Sequence, residues 1–350
     1  MEKKTLVMNA PKDKPATALG IQSDTAFTET AKGLAGRDLC SIADLSVLEI
    51  AAILELAHAV KAAPEDFRHA LDAKQMVMFF EKASLRTRLT FEVAMNTVGG
   101  NALFVDQTKE PLGERESIPD IARNIERWMN VVVLRTYAHD TVTEMAAHAK
   151  VPIINALSDL EHPCQAITDF FTLEEHFGSL EGLKFTYVGD GNNVCHSLML
   201  AGALLGVHVT VATPKNFAPK LEIVHKAIEL AEHTGATLTL TTDAAKAATG
   251  ADAIYTDAVY SMGQEHEAAR RAPLFKPYQV NEALMKLAQE SAVFMHCLPA
   301  HRGAEVTDEV LDGPQSIVFD QAENRMHAQK AITLMLLGAA KRLPKTNRRK

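Results

Sequence analysis

From Leu34 onward, short runs rich in Val, Ile, Leu and Phe alternate with stretches whose apolar residues recur at helical spacing. That alternation predicts parallel sheets covered by helices. Two series can be drawn. In the first, strands are expected near 75–80, 102–105, 131–134 and 153–155, with helices after Ser84, around 118–129 and around 141–149. In the second, strands are expected near 184–188, 207–212, 237–241, 253–256, 292–296 and 316–319. A helix over about 162–176 lies between the series, and a last one, about 323–337, is expected to pack back on the first. The predicted fold is α/β: two Rossmann-like lobes, each a parallel sheet flanked by helices, with the C-terminal helix returning to the first lobe. Residues 1–33 mix Lys, Asp, Pro and Thr without periodicity and read as a polar extension. The expected domains are 34–165 with 323–345, and 166–322.

Composition narrows the class. A chain of 350 residues, 47% hydrophobic and 23% charged, has room for two cores. Its net charge of -8 argues against a general nucleic-acid binder. No apolar run reaches the roughly 18 residues of a membrane span; the longest candidate, 198–212, is broken by two glycines and His208. The start, Met1-Glu2-Lys3-Lys4, has no apolar segment behind it and does not read as a signal peptide. Cys40, Cys164, Cys195 and Cys297 are scattered without a C-x-x-C, so a reducing, cytoplasmic setting is expected.

Candidate chemistry sits at strand ends, where ligands of open α/β sheets bind. Ser84 is the natural N-cap of the helix after the first strand. Arg86 and Arg88 follow in its first turn, where the macrodipole places about half a positive charge. Each guanidinium there costs roughly 0.3–1 kcal/mol unless an anion binds beside it. With Thr87 and the free amide N–H groups they would cradle a phosphate; the plainer alternative is a solvated basic turn. Arg135 directly follows another strand, as a salt-bridge partner or a ligand. His162-Pro163-Cys164-Gln165 opens the linking helix, where a His, a Gln and amides suit a neutral carbonyl group or a structural role. Gly189-Asp190-Gly191-Asn192-Asn193 imitates a dinucleotide fingerprint, but Val194 fills the third glycine position and the next strand ends without an acid. Asp257 and Ser261-Met262-Gly263 offer a carboxylate for an ammonium and donors for a carboxylate. His296-Cys297-Leu298-Pro299 ends a strand; Cys297 suits a nucleophile, a metal ligand or a polar contact, and a zinc site would need further ligands.

Taken in order, Ser84-Leu85-Arg86-Thr87-Arg88, Arg135, His162-Pro163-Cys164-Gln165, Asp190-Gly191-Asn192-Asn193, Asp257 with Ser261-Met262-Gly263, and His296-Cys297-Leu298-Pro299 resemble the aspartate/ornithine carbamoyltransferase family from about Leu34 to Leu337. The Ser-Met-Gly and His-Cys-Leu-Pro segments resemble its ornithine branch. The resemblance implies transfer of the carbamoyl group of carbamoyl phosphate to the side-chain amine of L-ornithine, giving L-citrulline and phosphate, with no cofactor and no metal. It implies a carbamoyl-phosphate domain first and an ornithine domain second. It assigns Ser84, Leu85, Arg86, Thr87, Arg135, His162, Gln165, Cys297, Leu298 and Arg325 to carbamoyl phosphate, and Asn193, Asp257, Ser261 and Met262 to ornithine. Arg135, His162, Asp257 and Cys297 are the expected catalytic set. A homotrimer or multiple of trimers is implied, with no nucleic-acid or membrane partner. Two positions depart from the pattern. Leu85 stands where many relatives have Thr, a change that a residue contributing its backbone N–H tolerates. Pro111 stands where a Gln or His is usual in a loop reaching the adjacent subunit; it has neither side-chain donor nor N–H, and Gln107 or Arg115 are the candidates to compensate. Putrescine or an N-acylated ornithine as acceptor, a nicotinamide-dependent oxidoreductase, and a non-catalytic ligand-binding relative are the competing readings.

Overall fold

A computed structural model describes residues 6–9, 21, 23–260 and 267–341, without the side chains of 6–9 and 268. The described residues form ten strands: β1 (Leu6–Asn9), β2 (Gln75–Phe80), β3 (Asn101–Asp106), β4 (Val131–Arg135), β5 (Ile153–Leu157), β6 (Lys184–Val188), β7 (His208–Ala212), β8 (Thr237–Thr241), β9 (Ala253–Thr256) and β10 (Val293–His296). They make two sheets, ordered β3-β2-β4-β5 and β1-β8-β7-β6-β9-β10. The chain divides into two compact units, residues 20–171 with 323–350, and residues 172–322 with 1–19.

In the first unit all strand pairs are parallel. β2 and β4 are buried nearly throughout, which is why their sequences read as continuous apolar runs rather than alternating ones. Val77, Phe79, Val132, Leu134 and Ile153 pack on one side against Ile118, Ala122, Val142 and Met145 of the flanking helices. Burying each such side chain contributes about 1.5–3 kcal/mol. The order reverses between β2 and β4, so their carboxyl ends flank a topological switch point. Helix Val318–Leu336 enters this unit in its later part. It is held there by Gly36 N–H donating to Leu336 O (2.8 Å) and by Lys61 Nζ donating to Asn324 Oδ1 (2.7 Å).

In the second unit β6 through β10 are parallel and β1 is added antiparallel to the edge strand β8. Its order reverses between β6 and β9, a second switch point. Tyr187, Tyr255, Phe185 and Phe294 are among its largest fully buried side chains.

Both sheets, their flanking helices and the return of the last helix match the expected architecture. Two local expectations are corrected. The run 316–319 is no strand: Ser316 makes an isolated bridge to Phe294 and the chain enters helix at Val318. Three apolar residues after Ser316 carry no period that separates strand from buried helix start. The segment before residue 34 is not uniformly unpatterned: it holds β1 and helix Asp24–Leu34. Ser23 caps that helix by accepting from Ala26 N–H at 3.1 Å, and Phe27, Ala31 and Leu34, spaced i, i+4, i+7, bury its inner face.

Candidate active site

Helix Leu85–Asn96 starts beyond β2 because Ser84, extended at φ -158, accepts from Thr87 N–H through Oγ at 3.3 Å. Thr87 is 1% exposed, and its hydroxyl accepts from Arg325 Nη2 at 2.7 Å across 238 residues of chain. Arg135 is 6% exposed at the end of β4, where the register with β5 shifts. Glu81 N–H donates to Arg135 O at 2.8 Å, and the buried Glu81 carboxylate accepts from Leu112 N–H (3.0 Å) and Tyr137 N–H (2.8 Å). One carboxylate thus ties the ends of β2 and β4 to the loop that contains Pro111.

His162 is buried just before helix Pro163–Phe177. Burial, then the charges of Arg325 and Arg135, hold its pKa well below the usual imidazole range. It is therefore neutral at pH 7 and keeps one N–H to offer a carbonyl oxygen. Gln165, in the first turn of the helix, donates through Nε2 to Asp169 Oδ1 at 2.7 Å, while its Oε1 is buried with no hydrogen-bond partner among the described residues. That oxygen can accept from an amide-like NH2. Thr87, Arg135, His162, Gln165 and Arg325 are thus gathered beside the cap of Ser84 and the half-buried Arg86. Leu85 is 71% exposed, so backbone N–H is what it can contribute. Arg88 follows the plainer reading: its guanidinium pairs with Glu92 at 3.0 Å and lies 3.9 Å from the Phe104 ring centroid. Cys164 donates its thiol to Asn155 O at 3.5 Å, and burial pushes its pKa up to about 12, so it is no nucleophile.

The loop after β3 borders a cavity of about 370 Å³ whose lining includes Gln107, Pro111, Arg115 and Trp128. Both residues proposed to compensate for Pro111 therefore reach the same wall, and Arg115 lies 4.0 Å from Glu110.

In the second unit, Asp257 at the end of β9 accepts from Asn192 Nδ2 (2.8 Å) and from the Cys297 thiol (3.1 Å). Asn192 is also the N-cap of helix Asn193–Leu204, its Oδ1 accepting from Val194 and Cys195 N–H at 3.1 Å each. Asn193, which the resemblance assigns to ornithine, is half-buried as the first residue of that helix, next to the cap Asn192 that reaches Asp257. Ser261 and Met262 lie outside the described residues.

Leu298 adopts φ +56, a left-handed conformation that costs a non-glycine residue about 1–2 kcal/mol, and precedes a cis Pro299. It is held by its N–H donating to His296 Nδ1 at 2.8 Å. Since Nδ1 accepts, the ring proton sits on Nε2, which faces Glu305 Oε1 at 3.2 Å. Glu305 is 3% exposed and was invisible in the sequence, because no spacing rule links it to His296. Asp257, His296 and Cys297 bring ligand-type atoms within 4.8 Å of one another. Both nitrogens of His296 are already engaged, which leaves a carboxylate and a thiol, short of a structural metal set.

Gly191 explains why the dinucleotide-like segment is something else. A Cβ there would lie 2.3 Å from Pro219 N, and Gly191 N–H donates to Phe217 O at 2.8 Å. The close approach a fingerprint glycine gives a pyrophosphate is taken by the chain's own backbone. Asp190 is bound to the buried Arg271 at 2.6 Å.

Polar side chains gathered at the switch points of doubly wound sheets, cationic in one unit and carboxylate–thiol in the other, define an enzyme that handles small charged substrates. The family models for the carbamoyl-P binding domain and the Asp/Orn binding domain of aspartate/ornithine carbamoyltransferase match residues 37–175 and 181–336. The chain belongs to the aspartate/ornithine carbamoyltransferase family. It is 48% identical over 310 residues to ornithine carbamoyltransferase of Pyrococcus horikoshii, covering 88% of this chain and 98% of that one. It is 50% identical over 307 residues to the enzyme of that name from Synechocystis sp., with the same two coverages. The solved ornithine carbamoyltransferase of Pyrococcus furiosus superposes with a TM-score of 0.85 at 47% identity, covering 88% of this chain and 99% of that one.

Proposed function

We propose that this chain is an ornithine carbamoyltransferase, moving the carbamoyl group of carbamoyl phosphate to the side-chain amine of L-ornithine to give L-citrulline and phosphate. The observation that carries the reading is the Arg325–Thr87 hydrogen bond, which brings a guanidinium from the last helix to the capped helix start after β2. Charge builds on the phosphate as the carbon–oxygen bond breaks, and Arg86, Arg135 and Arg325 with the helix N–H groups stabilise it as fixed donors. Neutral His162, with Thr87 and Arg135, polarises the carbamoyl oxygen, and Gln165 Oε1 accepts from the carbamoyl NH2. The resemblance assigns Cys297 and Leu298 to the same substrate.

On the acceptor side, Asp257 and Cys297 orient the amine, and Asn193, Ser261 and Met262 hold the amino-acid end. An alkyl amine with a pKa of about 10.4 must lose a proton, at a cost on the order of 4 kcal/mol near neutrality. Desolvation lowers that cost, and the Asp257–Cys297 pair or the departing phosphate receives the proton. Direct attack through a tetrahedral intermediate needs no acyl-enzyme.

The working unit is a homotrimer, or a multiple of it, in the cytoplasm. Leu85, Leu89 and Val93, at i, i+4 and i+8 of helix Leu85–Asn96, are 71%, 48% and 41% exposed, and Leu103 on the edge strand β3 is 44% exposed; such an apolar stripe supports a protein partner. The free thiols of the four cysteines support a reducing compartment. No described helix is long and apolar enough to cross a membrane. Citrulline formation with ornithine, putrescine and N-acetylornithine side by side tests the reading: ornithine is expected to be preferred by at least about a hundredfold, because a site built for its charged groups leaves them unpaired with the others. Equal rates with putrescine would overturn it.

A further inference from the structure

The segments beyond β9 and β10 are joined twice. Inside, the Cys297 thiol meets Asp257 at 3.1 Å. Further out, the rings of Tyr260 and His301 stack with centroids 5.2 Å apart and planes at 27°. Tyr260 lies three residues after Asp257, and His301 four after Cys297, so the stack spans the same gap as the polar contact. The His301 end is itself anchored: its N–H donates to Glu305 Oε1 at 2.6 Å. Its Nδ1 is buried 3.7 Å from Glu305 Oε2, and neither atom has a hydrogen-bond partner among the described residues. Glu305 also faces His296 Nε2, whose ring holds the Leu298 turn. His301 is thus the outer member of a braced chain that runs Tyr260, His301, Glu305, His296, Leu298. Its ring is 42% exposed in side-chain area, so core packing does not fix it there; the stack and the Glu305 contact do.

We propose that Tyr260 and His301 are a positioning pair for the acceptor substrate: their stack sets the separation of the two strand-end segments and so the geometry of Asp257 and Cys297 around the amine. Neither ring touches the reacting atoms in this role. A stacked aromatic pair contributes enough to change a binding equilibrium by about two- to tenfold, and misplacing a reacting group by about 1 Å costs up to about a hundredfold in rate. The inference rests on the ornithine carbamoyltransferase reading.

The test uses full-length protein with Tyr260→Ala, His301→Ala, the double variant, and the aromatic replacements Tyr260→Phe and His301→Phe. Each alanine variant is expected to raise the KM for ornithine about three- to tenfold and lower kcat, with the KM for carbamoyl phosphate within about twofold of wild type. The double variant is expected to be no worse than the poorer single one, and the phenylalanine variants to recover most of the loss. Multiplying losses in the double variant, an unchanged ornithine KM, or equal changes in both KM values would overturn the proposal. Should an alanine variant fail to fold by circular dichroism, the phenylalanine pair decides: ornithine KM near wild type supports the stack, whereas a rise equal to that of the folded alanine variant refutes it. Absence of citrulline formation by the wild-type enzyme would instead refute the functional reading, which keeps the two failures distinct.

Discussion

Two residues in this enzyme do what their ordinary solution chemistry would not suggest. His162 is held neutral by burial and two neighbouring guanidinium groups, which in the proposed mechanism suits it to donate to a carbonyl rather than add another cation beside a phosphate. His327 is displaced in the same direction, first by burial and then by Lys61 and Lys330. Both folded pKa values lie below the unfolded one, so above about pH 6.5 neither imidazole makes stability depend on pH. Below it the unfolded chain takes up protons that the folded chain refuses, and stability falls with pH by up to about 1.4 kcal/mol per unit for each group. Denaturant unfolding at pH 7.5 and 5.5 should show this fall, and His162→Gln should flatten it; an unchanged slope in that variant would place the effect elsewhere. Cys297 is assigned a hydrogen-bonding role, so Cys297→Ser is expected to raise the ornithine KM and slow turnover while leaving activity measurable. A covalent adduct trapped on the wild-type thiol would contradict this.

At the level of elements, most of the proposed polar set follows the four strand ends that flank the two switch points, β2 and β4 in one unit, β6 and β9 in the other, while His162 and Gln165 follow β5 and Arg325 comes from the last helix. β10 adds Cys297 and the Leu298 turn to the second group. These segments were legible in the sequence because buried parallel strands read as apolar runs, and the residue after each run is easily located. Asn192 and Glu305 were less legible, since both act through partners 65 and nine residues away in sequence. Gly191→Ala is expected to destabilise by at least about 2 kcal/mol, because its Cβ would meet backbone at Pro219 rather than a movable side chain; the denaturation midpoint measures it. Leu89→Glu, on the exposed stripe of helix Leu85–Asn96, should reduce the assembled state in light scattering while leaving the helix content of the subunit intact.

For the whole molecule, the proposed function makes charge set the order of events. In the proposed mechanism the like charges of Arg86, Arg135 and Arg325 are neutralised when a dianion binds. Carbamoyl phosphate is therefore expected to bind first, and product inhibition should show phosphate leaving last; random patterns would count against it. The alternation of apolar periods determined by itself that this is a two-sheet α/β chain, and residue order along it carried the family, because strand burial and helix capping are local and leave local marks. Tertiary structure alone decided that the Arg88 guanidinium lies over the Phe104 ring of the neighbouring strand, 3.9 Å from its centroid. It alone decided that Gly191 admits the chain's own backbone, and that Glu305 braces His296. Those outcomes depend on which groups distant in sequence reach the same few ångströms. Hydrogen bonds and close packing act over those distances, and no periodicity along the chain records them.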